Sequence, residues 1–335
     1  MKKLFALLLA AAMMLALFAC AKAPEPPASS AGSSEEPTES VAYLCEDGEN
    51  EYYCVESDSD YELFRKSKTT GEAVSIRKEI FISCLTLADG WLYYAANHHD
   101  LCRVGVTGNG YEKLLDYSEW RQYKEDEYFD GDDIRIIHVI DGVVFAWEQS
   151  FFLFRFDPQT QKVNEISDNA QHIHAMGNHV YYCERFYFDI CMIGAHDEAP
   201  TVVLESEKIG DDDRDWQNLY KNFIFIGDAM YYYKRCPDGL YSYRNGESVL
   251  IDDENIDEYS MDGYNGKLYY MARREWTPEN TDDHTSRLMC YDTETDVTSK
   301  IADCDSYSGG TGYVSDGRYC YLDHDENPCE IEIDD

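Results

Sequence analysis

One pattern constrains the folding of this chain more than any other: a run of short aromatic strands and tight turns that repeats along its whole body. The plainest copy is Ile80–Asp116, IFISCLTLADGWLYYAANHHDLCRVGVTGNGYEKLLD. Ile80–Leu87 is apolar and β-branched, and Ala88-Asp89-Gly90 is a turn. Trp91–Ala96 is an aromatic strand, Asn97–Asp100 a polar loop and Leu101–Val106 a third strand. Thr107–Gly110 turns the chain into a fourth, Tyr111–Leu115. Four such strands alone bury little, so copies must pack on one another to share a core.

The turn and the aromatic strand after it recur at Gly48, Gly90, Gly142, Asn178, Asp228, Gly266 and Gly317. The intervals are 42, 52, 36, 50, 38 and 51 residues, centred on the ~40–50 residues of one propeller blade. A second feature keeps the same phase. Third strands such as Leu101-Cys102-Arg103 and Leu240-Tyr241-Ser242-Tyr243 are followed by polar turns such as Asp157-Pro158-Gln159-Thr160 and Arg244-Asn245-Gly246. No stretch has the spacing of a long amphipathic helix. The expected fold is an all-β β-propeller of four-stranded antiparallel blades. Seven blades fit the markers, six or eight are the alternatives, and the last copy shows three strands.

Residues 1–40 lie outside this pattern. Lys2-Lys3 and the apolar run Leu4–Leu17 read as a signal peptide over residues 1–19, too short for a comfortable membrane span. Leu17-Phe18-Ala19-Cys20 resembles the lipobox of bacterial lipoproteins, with Phe18 departing from its usual small or β-branched residue. That resemblance implies lipid attachment at Cys20. Residues 20–40, rich in Pro, Ser, Ala and Glu, cannot bury enough apolar surface to offset their ordering entropy, so they read as a tether. Residues 41–335 form the propeller domain. The protein is thus expected at the extracellular face of a Gram-positive-like cell membrane, held only by its N-terminal lipid.

A second resemblance concerns the blade. LYYAANHHDLCRVGVTGNGYEKLL is similar to the YWTD-type repeat of low-density-lipoprotein-receptor propellers and, more loosely, to TolB-type bacterial propellers. Tyr94 stands where that motif has Trp, and Ala95-Ala96 where it has Thr-Asp. The resemblance therefore implies the blade's shape and not that family's polar contacts.

With 66 acids against 28 Lys and Arg, the formal charge of −38 makes nucleic-acid and anionic-lipid partners incompatible with the long-range field. Setting Cys20 aside, eleven cysteines remain, an odd number. Cys45 with Cys54, Cys183 with Cys191, and Cys320 with Cys329 are candidate cross-hairpin pairs. Buried free thiols are the equal alternative.

Three insertions carry the functional expectation. They are Tyr117–Asp133, Ser206–Lys221 and Arg273–Arg287, each with one tryptophan: Trp120, Trp216 and Trp276. Strand polarity puts all three on one face, where aromatic platforms with acidic edges would bind sugar rings, cationic groups or peptide side chains. Trp91 and Trp147 fall in strands and read as core. Asp211-Asp212-Asp213 with Asp215, and Asp130 with Asp132-Asp133, offer oxygens suited to calcium but lack EF-hand spacing. No metal site or cofactor is therefore assigned. His98-His99, His284 and His324 read as solvated loop residues on the insertion face, and His172 and His174 as packing residues on one face of a first strand. There is no GxSxG, HExxH or phosphate loop. The expected function is recognition of an extracellular ligand or protein through Trp120, Trp216 and Trp276. The alternative is a carbohydrate-active or proteolytic enzyme using carboxylates near the central channel.

Overall fold

The structure, a computed structural model, describes residues 41–57, 60–97, 100–116, 133–184, 188–208, 216–217, 219–235, 238–257, 259–273, 285–306, 312–315, 317–323, 325 and 327–333. Cys20, Trp120, Trp276, His98, His99, His284, His324, Asp130, Asp132, Asp211–Asp213 and Asp215 lie outside them. The chain divides into two compact units, one ending at Asp168 and the other beginning at Asn169.

The first unit holds three four-stranded antiparallel meanders. Blade one is β1 (Val41–Glu46), β2 (Asn50–Glu56), β3 (Tyr61–Ser67) and β4 (Ala73–Glu79). Blade two is β5 (Ile82–Ala88), β6 (Trp91–Ala96), β7 (Asp100–Gly105) and β8 (Glu112–Leu115). Blade three is β9 (Ile134–Ile140), β10 (Val143–Glu148), β11 (Leu153–Asp157) and β12 (Lys162–Ser167). First strands stand side by side. The Ser83 hydroxyl donates to the Ile134 carbonyl, and that of Thr86, three residues on, to the carbonyl of Ile137, also three residues on. Such an even step means that β5 and β9 run parallel.

The second unit begins with blade four, β13 (Ala170–Met176), β14 (His179–Glu184), β15 (Ile190–Gly194) and β16 (Thr201–Leu204). A two-stranded hairpin follows, β17 (Glu207–Lys208) with β18 (Trp216–Gln217). Blade five is β19 (Leu219–Ile226), β20 (Ala229–Arg235), β21 (Gly239–Arg244) and β22 (Glu247–Asp252). Blade six is β23 (Asp262–Tyr264), β24 (Lys267–Arg273), β25 (Thr285–Asp292) and β26 (Val297–Asp305). Blade seven has three described strands, β27 (Tyr313–Ser315), β28 (Arg318–Leu322) and β29 (Pro328–Glu332). The fold is thus all-β, with seven successive blades of the β-propeller type. Among the described residues there is no helix, and none long and apolar enough to cross a membrane.

The Tyr-Tyr strands follow from period-two alternation between two buried faces. In β24, Leu268, Tyr270 and Ala272 pack toward blade five, while Tyr269 and Met271 pack toward blade seven. β20 divides in the same way: Met230 and Tyr232 face blade four, and Tyr231 and Tyr233 face blade six. In β6, Leu92 and Tyr94 face blade one, and Tyr93 and Ala95 face blade three. These second strands are therefore core on both sides, and the cores they join lie between successive blades of one unit.

Burying a phenol requires a partner for its hydroxyl. Tyr94 finds Glu79 at the end of the preceding blade's last strand, 3.0 Å away, and Tyr270 finds Asp252 in the equivalent place at 2.6 Å. The two units thus use the same interblade bond. The turns are equally regular. Asp89-Gly90, Asp141-Gly142, Asn245-Gly246 and Asn265-Gly266 all have both residues at positive φ, the type I′ geometry that matches strand twist.

Several expectations need correction. The segment Ser206–Lys221 is not one uninterrupted insertion, because β17 pairs with β18 and β19 already begins at Leu219. Arg273 pairs with Ser286 and Ala272 with Arg287, so the ends of the third insertion belong to the sheet of blade six. No disulfide joins any two of the ten described cysteines. Cys191 stands opposite Tyr182 and Cys329 opposite Tyr321, so each is one residue out of register with its expected partner and on the other face. Cys45 and Cys54 share a face but stand opposite Tyr52 and Tyr43. Burial pushes the thiols of Cys54 and Cys183 up to about 12. Trp91 and Trp147 lie in strands as expected, both partly buried, and Trp91 packs against the core between blades two and three. Trp91 is covered by the Arg103 guanidinium at 4.4 Å, and Trp147 meets Phe151 edge-on at 6.4 Å.

Candidate functional site

In each meander, the first-to-second and third-to-fourth turns lie at one end, the hairpin end. Second-to-third loops and the exits of fourth strands lie at the other, the insertion end. Of the three tryptophans expected to bind ligand, only Trp216 has a described backbone, on β18 opposite Lys208.

In the first unit, the insertion end of blade three carries a polar cluster where β9 starts and β10 ends. Asp133 is buried and pairs with Arg135 at 2.7 Å. The Arg135 guanidinium also donates to Gln149 Oε1 at 3.0 Å, and the Gln149 amide donates to the Asp133 carbonyl. The Glu148 side chain is fully buried and accepts from the Ser150 hydroxyl at 3.2 Å. Asp133 is thus engaged by a cation of the chain itself. Among the described residues, no three metal-ligating side chains are grouped.

The insertion end of the second unit carries a different set of groups. Near the start of β13, a bulge between Gln171 and His174 puts three residue steps opposite two of β14, and His172 takes a φ of 52°. The bulge breaks the alternation that had suggested one shared face. His174 packs on Phe223, with ring centres 4.9 Å apart, whereas His172 lies 6.3 Å from Tyr259. Burial, with the charges of His174 and Lys221 adding to it, lowers His172 to about 4, so its imidazole is neutral at pH 7. Lys221 on β19 holds its ammonium 4.5 Å over the Phe188 ring. Tyr259 is 46% exposed.

Beneath Tyr259 the chain is tightly fastened. Buried Asp257 pairs with Arg273 at 2.8 Å. The Ser260 hydroxyl donates to the Asp257 carbonyl and accepts from the Met271 amide, and the Tyr319 hydroxyl donates to the Ser260 carbonyl at 2.6 Å. A Cβ on Gly312 would fall 1.9 Å from the Tyr319 oxygen, so the position admits glycine alone. This network holds Tyr259 and Arg273, the last residue of β24, and the sequence continues from there into residues 274–284, which carry Trp276. The arrangement can present an aromatic ring, an ammonium and a neutral imidazole to a ligand. Among the described residues it contains no nucleophile–base pair.

Sequence reasoning missed Tyr259, Lys221 and Phe188. It could have picked out Tyr259 as an aromatic between two blades outside the strand pattern. Lys221 and Phe188 carry no such mark.

No family model matches the chain, and no curated protein matches it. Among solved structures, an oligogalacturonate lyase in complex with manganese is 11% identical with a TM-score of 0.47, over 84% of this chain and 85% of that one. YCF48 from Cyanidioschyzon merolae is 6% identical with a TM-score of 0.47, over 87% and 95%. BamB from Moraxella catarrhalis is 8% identical with a TM-score of 0.45, over 88% and 84%. At such scores these similarities assign neither a family nor an activity.

Proposed function

We propose that the chain is an extracellular recognition module, held to a membrane by a lipid on Cys20, that binds its ligand at the insertion end of the blades. The carrying observation is the exposed Tyr259 ring beside the neutral His172 imidazole, with Lys221 stacked on Phe188 nearby. The segments bearing Trp216 and Trp276 join the same end of the second unit. Two aromatic faces beside the strands and one ammonium on β19 suit binding, because the hydrogen bonds around Tyr259 fix that part of the surface before the ligand arrives. Trp120 extends the proposal to the first unit.

A glycan and peptide array probed with the full chain and with Trp120→Ala, Trp216→Ala and Trp276→Ala variants tests this reading. Binding that weakens in at least two variants supports it. Binding indifferent to all three, or turnover of an arrayed compound, counts against it. The anchor has its own test: a palmitate analogue should label the wild type and not Cys20→Ala.

A further inference from the structure

We propose a second ligand site at the hairpin end of the second unit, in the cleft between blades four and five, which takes the ring of a neutral carbohydrate. The cleft has a volume of about 390 Å³, within the range of small-molecule sites. Its wall is aromatic. Tyr181 of β14 and Phe225 of β19 meet edge-on at 4.8 Å, and Tyr243 of β21 stands beside them. All three rings are partly exposed. Its mouth carries three planar polar groups, Asp228, Arg244 and Asn245. Asp228 and Arg244 pair at 2.9 Å and are well exposed, so both are within reach of a ligand entering from solvent.

This division of chemistry selects the ligand class. A pyranose presents an apolar C–H face, which suits an aromatic wall, and neighbouring hydroxyls at its rim. A carboxylate, a guanidinium and an amide engage those hydroxyls as acceptors and donors. A purely apolar side chain would fill the wall and make no use of the Asp228, Arg244 and Asn245 groups at the mouth. An anionic glycan would enter against a formal charge of −38, and the Asp228–Arg244 pair is locally neutral.

The adjoining cleft between blades five and six, about 520 Å³, shares Arg244 and Asn245 with the first. The tip of the β21–β22 hairpin is therefore a ridge between two hollows. A ligand longer than one ring can cross it, which favours an oligosaccharide over a free sugar. The site is at the other end of the blades from Tyr259 and does not depend on the function proposed above.

Calorimetric titration of the full chain with cellohexaose, chitohexaose and maltohexaose, and with a hyaluronan hexamer as the anionic counterpart, tests the assignment. At least one neutral hexasaccharide should bind saturably. Asp228→Ala should weaken that binding about tenfold, as the loss of one hydrogen-bonding group implies. Val202→Trp should abolish it by filling the cleft, since Val202 lines the cleft and is 49% exposed. Val74→Ala, on an exposed position of blade one outside both candidate sites, should leave it unchanged, and unaltered melting temperatures show that the variants fold. No saturable binding of any neutral probe overturns the proposal. So does equal affinity for hyaluronan, or loss of binding in Val74→Ala but not in Val202→Trp.

Discussion

Replacing Tyr270 by Phe removes one oxygen from the interface between blades five and six and leaves the ring in place. That oxygen lies 2.6 Å from Asp252 Oδ2, and the Tyr270 side chain is fully buried. A hydrogen bond to a charged group contributes ~1.5–3 kcal/mol. Asp252 is partly exposed and regains water when the phenol is gone, so the net loss should be about 1–2 kcal/mol. Asp252 also accepts from the Glu254 amide at 3.1 Å, and Asp252→Ala would lose that bond too. A double-mutant cycle subtracts it and isolates the interblade pair. Urea unfolding at pH 7 should give a coupling of about 1 kcal/mol between Tyr270→Phe and Asp252→Ala. Tyr94→Phe should cost less, because Glu79 keeps its ion pair with Arg77. A coupling within ~0.3 kcal/mol of zero, the usual scatter of independent sites, would refute the idea that these bonds hold neighbouring blades together.

Two further outcomes follow from the second unit. The folded-state value of His172 is depressed from 6.5 to about 4, so as pH falls the unfolded chain takes up a proton before the native one does. Its contribution is intact above about pH 6.5 and declines until about 4, by up to about 3 kcal/mol in all. Between pH 7 and pH 5 the wild type should therefore lose about 2 kcal/mol more stability than His172→Gln; parallel stability curves would mean that the imidazole is not held neutral. Gly312→Ala places a methyl inside bonding distance of the buried Tyr319 oxygen and must displace the donor of the Ser260 contact. Overpacking and the lost bond should together cost about 2–4 kcal/mol, measured by thermal or urea unfolding, and near-wild-type stability would contradict the packing at Tyr319.

The blades were legible because the features that mark them are local. Asp89-Gly90 and Asn265-Gly266 sit where both turn residues need positive φ, and the Tyr-Tyr strands alternate between two cores. Contacts set by register or by packing between blades were not legible. Cys183 and Cys191 look paired in sequence, yet a single residue of register puts them on opposite faces. The bulge that separates His172 from His174 has no signature residue. Tyr270 and Asp252 are 18 residues apart and meet only once blade six packs on blade five. The same holds for the candidate sites. The insertions stood out by length, whereas Tyr259 over its Asp257–Arg273–Ser260 support, and the cleft beside Arg244, arise only when successive blades are brought together.

Recognition at the insertion end is tested most directly by calorimetric titration of the full chain with the best-bound array compound that is not a neutral oligosaccharide, alongside Tyr259→Ala, Lys221→Ala and Asp228→Ala. The account predicts affinity at least about tenfold weaker, some 1.4 kcal/mol, in Tyr259→Ala and Lys221→Ala, and unchanged in Asp228→Ala at the other end. Wild-type affinity in the first two variants would contradict it.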